Sequence, residues 1–207
     1  MSECDRIDLR GVAVFRGALD ADAQAGLVEQ VCEIARAAPM FHPETRWGKQ
    51  MSVKMTSAGD FGWVSDRRGY RYERRHPSGA SWPPIPGAVL DIWERFGVGA
   101  TPSLRAPECC LVNYYGEGAR MGLHQDRDEA DFAQPVVSVS LGDAGLFRVG
   151  NIERGGKTES IWLESGDVVV IGGAARLVHH GVDRIRFASS TLLKDGGRIN
   201  LTLRVVT

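Results

Sequence analysis

Cysteine is sparse in this 207-residue chain: there are four, and no two of them form a CxxC pair. Without that spacing no zinc ribbon is supported, and without a secretory context no disulfide framework, so Cys4, Cys32, Cys109 and Cys110 are expected to be free thiols. Long apolar runs are absent too. Nothing approaches the roughly 18 residues of a membrane span, and the opening MSECDRIDLR lacks the apolar core of a signal peptide. A cytoplasmic protein with no membrane contact is expected. Charge of either sign is not in excess: 25 Lys and Arg against 26 Asp and Glu leave a formal net charge of -1. That excludes a generally basic nucleic-acid coat, so any such binding has to be local. Repeats, linkers and low-complexity segments are missing as well, and the length suits a single domain with a substantial core.

What is present divides into two helices and a series of short strands. ALDADAQAGLVEQVCEIARAAP has Leu27, Val31, Ile34 and Ala38 at helical spacing, Asp20 or Asp22 as cap and Pro39 as terminator. A second helix is predicted after Pro86, with Val89, Leu90, Trp93 and Phe96 as its apolar side and Gly97 at its end. After Pro107 the pattern shifts to strands separated by Gly-rich turns, at 109–115, 136–141, 146–149, 160–163, 167–171 and 199–206. Many short strands imply a sandwich or jelly roll, hence a mainly β fold with flanking helices.

The chemistry-bearing residues fall on those strands. In GGRINLTLRVVT, Arg198, Asn200 and Arg204 share one strand face, and Ile199, Leu201, Leu203 and Val205 take the other. ECCLVNYYGEG likewise puts Leu111, Asn113 and Tyr115 opposite Cys110, Val112 and Tyr114. His124-Gln125-Asp126 in extended chain projects His124 and Asp126 together and turns Gln125 away. A distant imidazole from His179-His180 would complete two histidines and one carboxylate, the facial triad that leaves open positions on Fe(II). Adjacent residues diverge in extended chain, so at most one of that pair can bind. Upstream, GDFGWVSDRRGYRYERRHPSG interleaves Arg67, Arg68, Arg71, Arg74 and Arg75 with Tyr70 and Tyr72, shortly after Trp63. Cations for phosphates and aromatic faces for bases are what single-stranded nucleic acid needs. Each of these residues has an ordinary reading when taken singly: a surface histidine, a charge run, solvated strand arginines, a solvated hairpin.

Taken in order, NxYxxGxxxxxHxD from Asn113 to Asp126, then GDVVVIGG, HHG and RxNxxxR, the motifs resemble the AlkB family of Fe(II)- and 2-oxoglutarate-dependent dioxygenases, from about Met51 to the C-terminus. The resemblance implies a double-stranded β-helix, or jelly roll, at 107–207, a nucleotide-recognition lid at 51–85 that closes over substrate, and an N-terminal helical buttress within 1–50. It selects His180 as the third Fe(II) ligand beside His124 and Asp126. It implies that Arg198 pairs with the far carboxylate of 2-oxoglutarate and that Asn113, Tyr115, Asn200 and Arg204 complete that pocket, Arg204 near the metal-bound end. Met55, Trp63, Tyr70, Arg71, Tyr72, Asp128 and Arg154 match positions that contact substrate. The implied reaction consumes O2 and 2-oxoglutarate to demethylate 1-methyladenine and 3-methylcytosine in single-stranded DNA, with RNA, or duplex DNA by base flipping, as further substrates, for alkylation-damage repair. A monomer is expected. One departure stands out: Ile171 occupies the place where the best-known bacterial pattern has a tryptophan that helps sandwich the base. The alternatives are a same-superfamily oxygenase acting on RNA, protein or a small molecule, a non-catalytic jelly-roll module, and a nucleic-acid binder using only residues 63 to 76.

Overall fold

The computed structural model describes residues 5–207; Cys4 lies outside them. In chain order the elements are β1 (Arg6–Leu9), β2 (Val12–Phe15), α1 (Ala21–Ala37), β3 (Lys54–Gly59), β4 (Gly62–Asp66), β5 (Gly69–Glu73), α2 (Gly87–Gly97), β6 (Cys109–Tyr115), β7 (Met121–His124), β8 (Val136–Gly142), β9 (Ala144–Val149), β10 (Glu159–Leu163), β11 (Val168–Ile171), β12 (His180–Arg186) and β13 (Arg198–Arg204). A large sheet runs β1-β2-β11-β8-β13-β6-β3, a small one β10-β9-β12-β7, and β4 and β5 form a separate hairpin. The two larger sheets make the jelly roll.

Alternation along the strands decides what lies where. Val137, Val139, Leu141, Val168, Val170, Ile199, Leu201 and Leu203 face outward from the large sheet and are covered by Leu27, Val31 and Ile34 of α1 and Val89, Ile92, Trp93 and Phe96 of α2. Asp20 caps α1, its Oδ1 accepting from Ala23 N at 2.9 Å. On α2, Ile92 is buried and Leu90 only half so, a shift of the apolar stripe from the one the sequence predicts. The intervening residues face inward. There Val136, Val169 and Ile171 meet Phe147, Val149 and Leu163 of the small sheet. Cys110 joins the helix-side core, Cys109 the pocket-side one. Burial pushes the Cys109 thiol up to about 12 and Cys110 higher still, so both behave as small apolar residues.

The N-terminal half is less of an appendage than its sequence suggests. β2 pairs with β11 and β3 with β6, so both are strands of the large sheet. The segment read as a lid over 51–85 therefore splits, with β3 belonging to the barrel wall and the β4–β5 hairpin projecting from it. That hairpin is anchored. Trp82 packs so closely on Gly62 that a Cβ there would sit 2.2 Å from its ring, and its indole donates to Glu73 O at 2.9 Å.

Candidate functional site

Between the sheets lies a cavity of about 570 Å³, and the residues with chemistry converge on it. β7 and β12 are antiparallel neighbours in which His124 and His180 are directly opposed. Thus both imidazoles come from paired strands of one sheet, although 56 positions separate them (180 − 124). Gly181 is what allows this approach: a Cβ there would meet the Met121 and Gly122 carbonyl oxygens at 2.6 and 2.7 Å. The glycine of HHG is thereby accounted for. His179 is not a third imidazole in the cluster, since the ligand atoms that converge are those of His124, Asp126 and His180; its Nδ1 lies 3.0 Å from Asn151 O. Gln125 turns away as the extended geometry requires, donating to Ile152 O.

His124, Asp126 and His180 each offer a ligand atom, all within 4.8 Å of one another. His124 Nδ1 is 3.0 Å from Gly122 O and His180 Nδ1 is 3.1 Å from Val178 O. A carbonyl partner requires N–H at Nδ1, which leaves each Nε2 lone pair free for a metal. These Nε2 atoms lie 3.6 and 3.7 Å from the Asp126 carboxylate. Burial, reinforced by His124, pushes His180 down to about 4, so the ring is neutral, the form that ligates. Burial would raise Asp126, but the Arg204 guanidinium beside it outweighs that and helps hold the carboxyl well below the usual carboxylate range. Arg204 donates from Nη2 and Nε to Asp126 Oδ2 at 2.9 and 3.3 Å, which leaves Oδ1 for a cation.

The second half of the site is lined by β13 and β6. Arg198 is opposite Tyr115, and Asn200 is opposite Asn113. Arg198 is 1% exposed, yet only Nη2 has a partner, Ser140 Oγ at 2.8 Å. Its Nε and Nη1 and the Asn113 Oδ1 are buried without a partner. A buried guanidinium with two idle donors is costly unless an anion completes it, and its planar fork suits a carboxylate. Gly145 makes room for it, since a Cβ there would lie 2.9 Å from Arg198 Nε. The donor set and the idle atoms together fit Fe(II) at one end of the cavity and the far carboxylate of 2-oxoglutarate at the other. Arg204, expected in the co-substrate pocket near its metal-bound end, lies at that end, with Nε and Nη2 committed to Asp126 and with Glu129 at 3.4 Å.

The mouth is aromatic. Trp63 stacks on Tyr70 with centroids 5.4 Å apart and rings tilted by 22°, and its Nε1 donates to Asp128 at 3.2 Å. Met55, on β3, and Arg154 line the same cavity, as does Ile171, buried in the wall beside Val169 and Leu163. Two residues predicted to touch substrate do not line it. Arg71 sits on the opposite hairpin face from Tyr70 and is held by Asp66 at 2.9 Å and Glu73 at 2.6 Å. Tyr72 packs into the base of the hairpin and donates its hydroxyl to Glu129 Oε1.

Glu129 and Arg176 went unread in the sequence. Arg176 bonds Glu129 Oε2 at 3.1 Å and the Asp126 carbonyl at 2.7 Å, and Glu129 also faces Arg204. This buried chain joins the hairpin, through Tyr72, to the Asp126 ligand. Glu129 sits in the run DRDEAD, whose composition signals solvent exposure, and only burial distinguishes it.

Comparison with known proteins agrees with this geometry. The family model of the 2OG-Fe(II) oxygenase superfamily matches residues 11–204. The alpha-ketoglutarate-dependent dioxygenase AlkB homolog of Caulobacter vibrioides is 54% identical over 195 residues, covering 94% of this chain and 87% of that protein. The alpha-ketoglutarate-dependent dioxygenase AlkB of Escherichia coli is 37% identical over 184 residues, covering 88% and 85%. The solved structure of OsALKBH1 superposes with a TM-score of 0.81 at 30% identity, covering 97% of this chain and all of that one.

Proposed function

Because the chain belongs to the AlkB family of the 2OG-Fe(II) oxygenase superfamily, a family of dioxygenases that use Fe(II), 2-oxoglutarate and O2, we propose that it repairs alkylated DNA by oxidative demethylation of N-methylated bases. The observation that carries this reading is that the stacked Trp63–Tyr70 pair and the His124–Asp126–His180 cluster line one cavity. An aromatic mouth over a metal-binding floor takes a flat ring and presents its edge to the metal. 1-Methyladenine and 3-methylcytosine in single-stranded DNA are the proposed substrates, because a base has to leave its stack to enter such a cavity and an unpaired base leaves most easily.

Bound Fe(II), with 2-oxoglutarate and O2, supplies the oxidation of the N-methyl carbon. The chain's own part is placement. His124 and His180, fixed by their carbonyl partners, and Asp126, held by Arg204, hold the metal. Arg198 receives the far carboxylate of 2-oxoglutarate, and the Asn113 amide adds a polar wall. Trp63 and Tyr70 stack on the base, and Asp128, oriented by the Trp63 indole, has a second carboxylate oxygen to accept from an exocyclic amine. Arg154 at the rim suits a phosphate. Steady-state assays on 1-methyladenine and 3-methylcytosine in single-stranded and in duplex oligonucleotides test the proposal. Higher kcat/KM on single strands is expected. Equal rates on both, or turnover of a free small molecule in preference to either, would contradict the substrate assignment.

A further inference from the structure

The hairpin arginines are not all available to a nucleic-acid strand. Asp66 takes Arg68 at 3.1 Å and Arg71 at 2.9 Å, and Arg74 lies over the Phe61 ring. Arg67, at the hairpin turn, is in none of the ion pairs found among the described residues. It reaches the neighbouring turn at 44–50, where a Cβ on Gly48 would lie 3.5 Å from its Nε and Nη2. That turn has its own internal frame. Glu44 bridges Gln50, Thr45 N donates to Lys49 O and Met51 N to Pro43 O, each at 2.8 Å. Glu44 N also donates to Ser65 O of β4 at 3.0 Å, which joins the turn to the hairpin.

At its tip stands Trp47, 75% exposed, the most exposed of the large apolar side chains described. A scattered exposed apolar residue needs no explanation, but this one is not scattered. The Arg46 guanidinium lies 4.4 Å over one side of the indole, Lys49 follows two positions later on the same turn, and Arg67 lies against the adjacent Gly48, with Glu44 the single carboxylate on the turn. Stacking on a cation fixes the ring and leaves its other face open. Met51, where the turn ends, lines the cavity. Met51 is four positions beyond Trp47, a reach of at most ~14 Å, so a strand leaving the cavity mouth passes near the tip.

We propose that the turn at 44–50, together with Arg67, is a second nucleic-acid contact that holds a nucleotide flanking the one in the cavity. The flanking base stacks on the open face of Trp47, and the adjoining phosphates meet Arg46, Lys49 and Arg67. This rests on the reading that the substrate is a nucleic-acid strand, and it adds a dependence on strand length that the cavity alone does not produce.

Two measurements test it. Fluorescence anisotropy of a labelled, unmodified oligothymidylate reads the contact without any lesion, and demethylation of 1-methyladenosine 5′-monophosphate in its deoxy form, which has no flanking nucleotide, and of a longer lesion-bearing oligonucleotide reads it during turnover. Trp47→Ala is expected to weaken oligothymidylate binding by roughly fivefold to a hundredfold, the range for one base stacked on an aromatic. It should raise KM on the long substrate while leaving the mononucleotide KM and both kcat values unchanged, and Trp47→Phe should restore most of the loss. Arg67→Gln should reduce the magnitude of the slope of log affinity against log salt by roughly 0.7, one single-strand phosphate. Unchanged oligothymidylate binding by Trp47→Ala, or equal losses on the mononucleotide and the long strand, would overturn the second contact. A wild-type protein that demethylates neither substrate removes the demethylase reading instead, and the anisotropy comparison then still decides whether this surface binds a strand.

Discussion

Replacing Arg198 by methionine should stabilise the protein in the absence of co-substrate while abolishing its use of 2-oxoglutarate. Arg198 is 1% exposed, has no carboxylate partner, and bonds only Ser140 through one of its three nitrogens. Burial already lowers its pKa. Exchanging a buried charge for an apolar side chain of similar reach gains about 1–4 kcal/mol, from which roughly 1 kcal/mol is subtracted for the Ser140 hydroxyl left alone. The net gain of up to ~3 kcal/mol corresponds to a rise in Tm of several degrees, at roughly 2–4 °C per kcal/mol for a chain of this size. 2-Oxoglutarate at about a hundred times its Kd should add ~2.7 kcal/mol to the wild type and nothing to the variant. Scanning calorimetry of both proteins, with and without 2-oxoglutarate, reads all four values. A variant that melts below the wild type without ligand, or one that 2-oxoglutarate still stabilises, would refute the view that Arg198 is an uncompensated cation waiting for a carboxylate.

Other consequences follow from the same geometry. Glu129→Gln removes the carboxylate shared by Arg176, Arg204 and Tyr72; breaking a buried pair costs about 3–5 kcal/mol, so Tm should fall by on the order of 10 °C and iron affinity should drop with it. An unchanged Tm would mean the network carries no strain-free energy of its own. Ile171→Trp adds an aromatic face to the cavity wall, and because base–aromatic stacking is worth ~1–3 kcal/mol, KM or the preference between methylated bases should shift; if neither moves, Ile171 does not touch the base. For His180, whose folded pKa of about 4 lies below the ordinary 6.5, the unfolded chain binds the proton first. Its contribution is complete above pH ~6.5 and is lost progressively as pH falls towards about 4, by ~3 kcal/mol at most. His180→Asn should flatten that part of the metal-free stability curve, and a curve of unchanged shape would contradict the assignment.

Much of the site is legible in the sequence because strand alternation is a local rule. The faces assigned to Arg198, Asn200 and Arg204 and to Asn113 and Tyr115 are those the structure shows, and six of the eight strands after Pro107 and both helices lie close to their predicted bounds. β12, the strand that carries His180, is harder to see. HGVDRIR mixes charges with apolar residues, and only its pairing with β7 and β9 makes it a strand. β3 has the small and polar residues of KMTSAG, and β7 is four residues long. Arg71 was legible as a cation but not as a neutralised one, since its ion pairs depend on hairpin register. Tyr72 and Glu129 are 57 positions apart, and no spacing rule connects them. Conversely, the cations at 46 and 49 become part of a surface only when the structure brings Arg67 beside them.

The most direct test is mass spectrometry of an oligonucleotide carrying one 1-methyladenine, incubated in air with Fe(II), ascorbate and 2-oxoglutarate, beside a His180→Ala control. Loss of one methyl group with matching succinate, absent in the control, is the predicted result. Succinate without demethylation of this or of a 3-methylcytosine oligonucleotide, or demethylation that survives in His180→Ala, would contradict the claim that this cavity is a metal-dependent DNA demethylase.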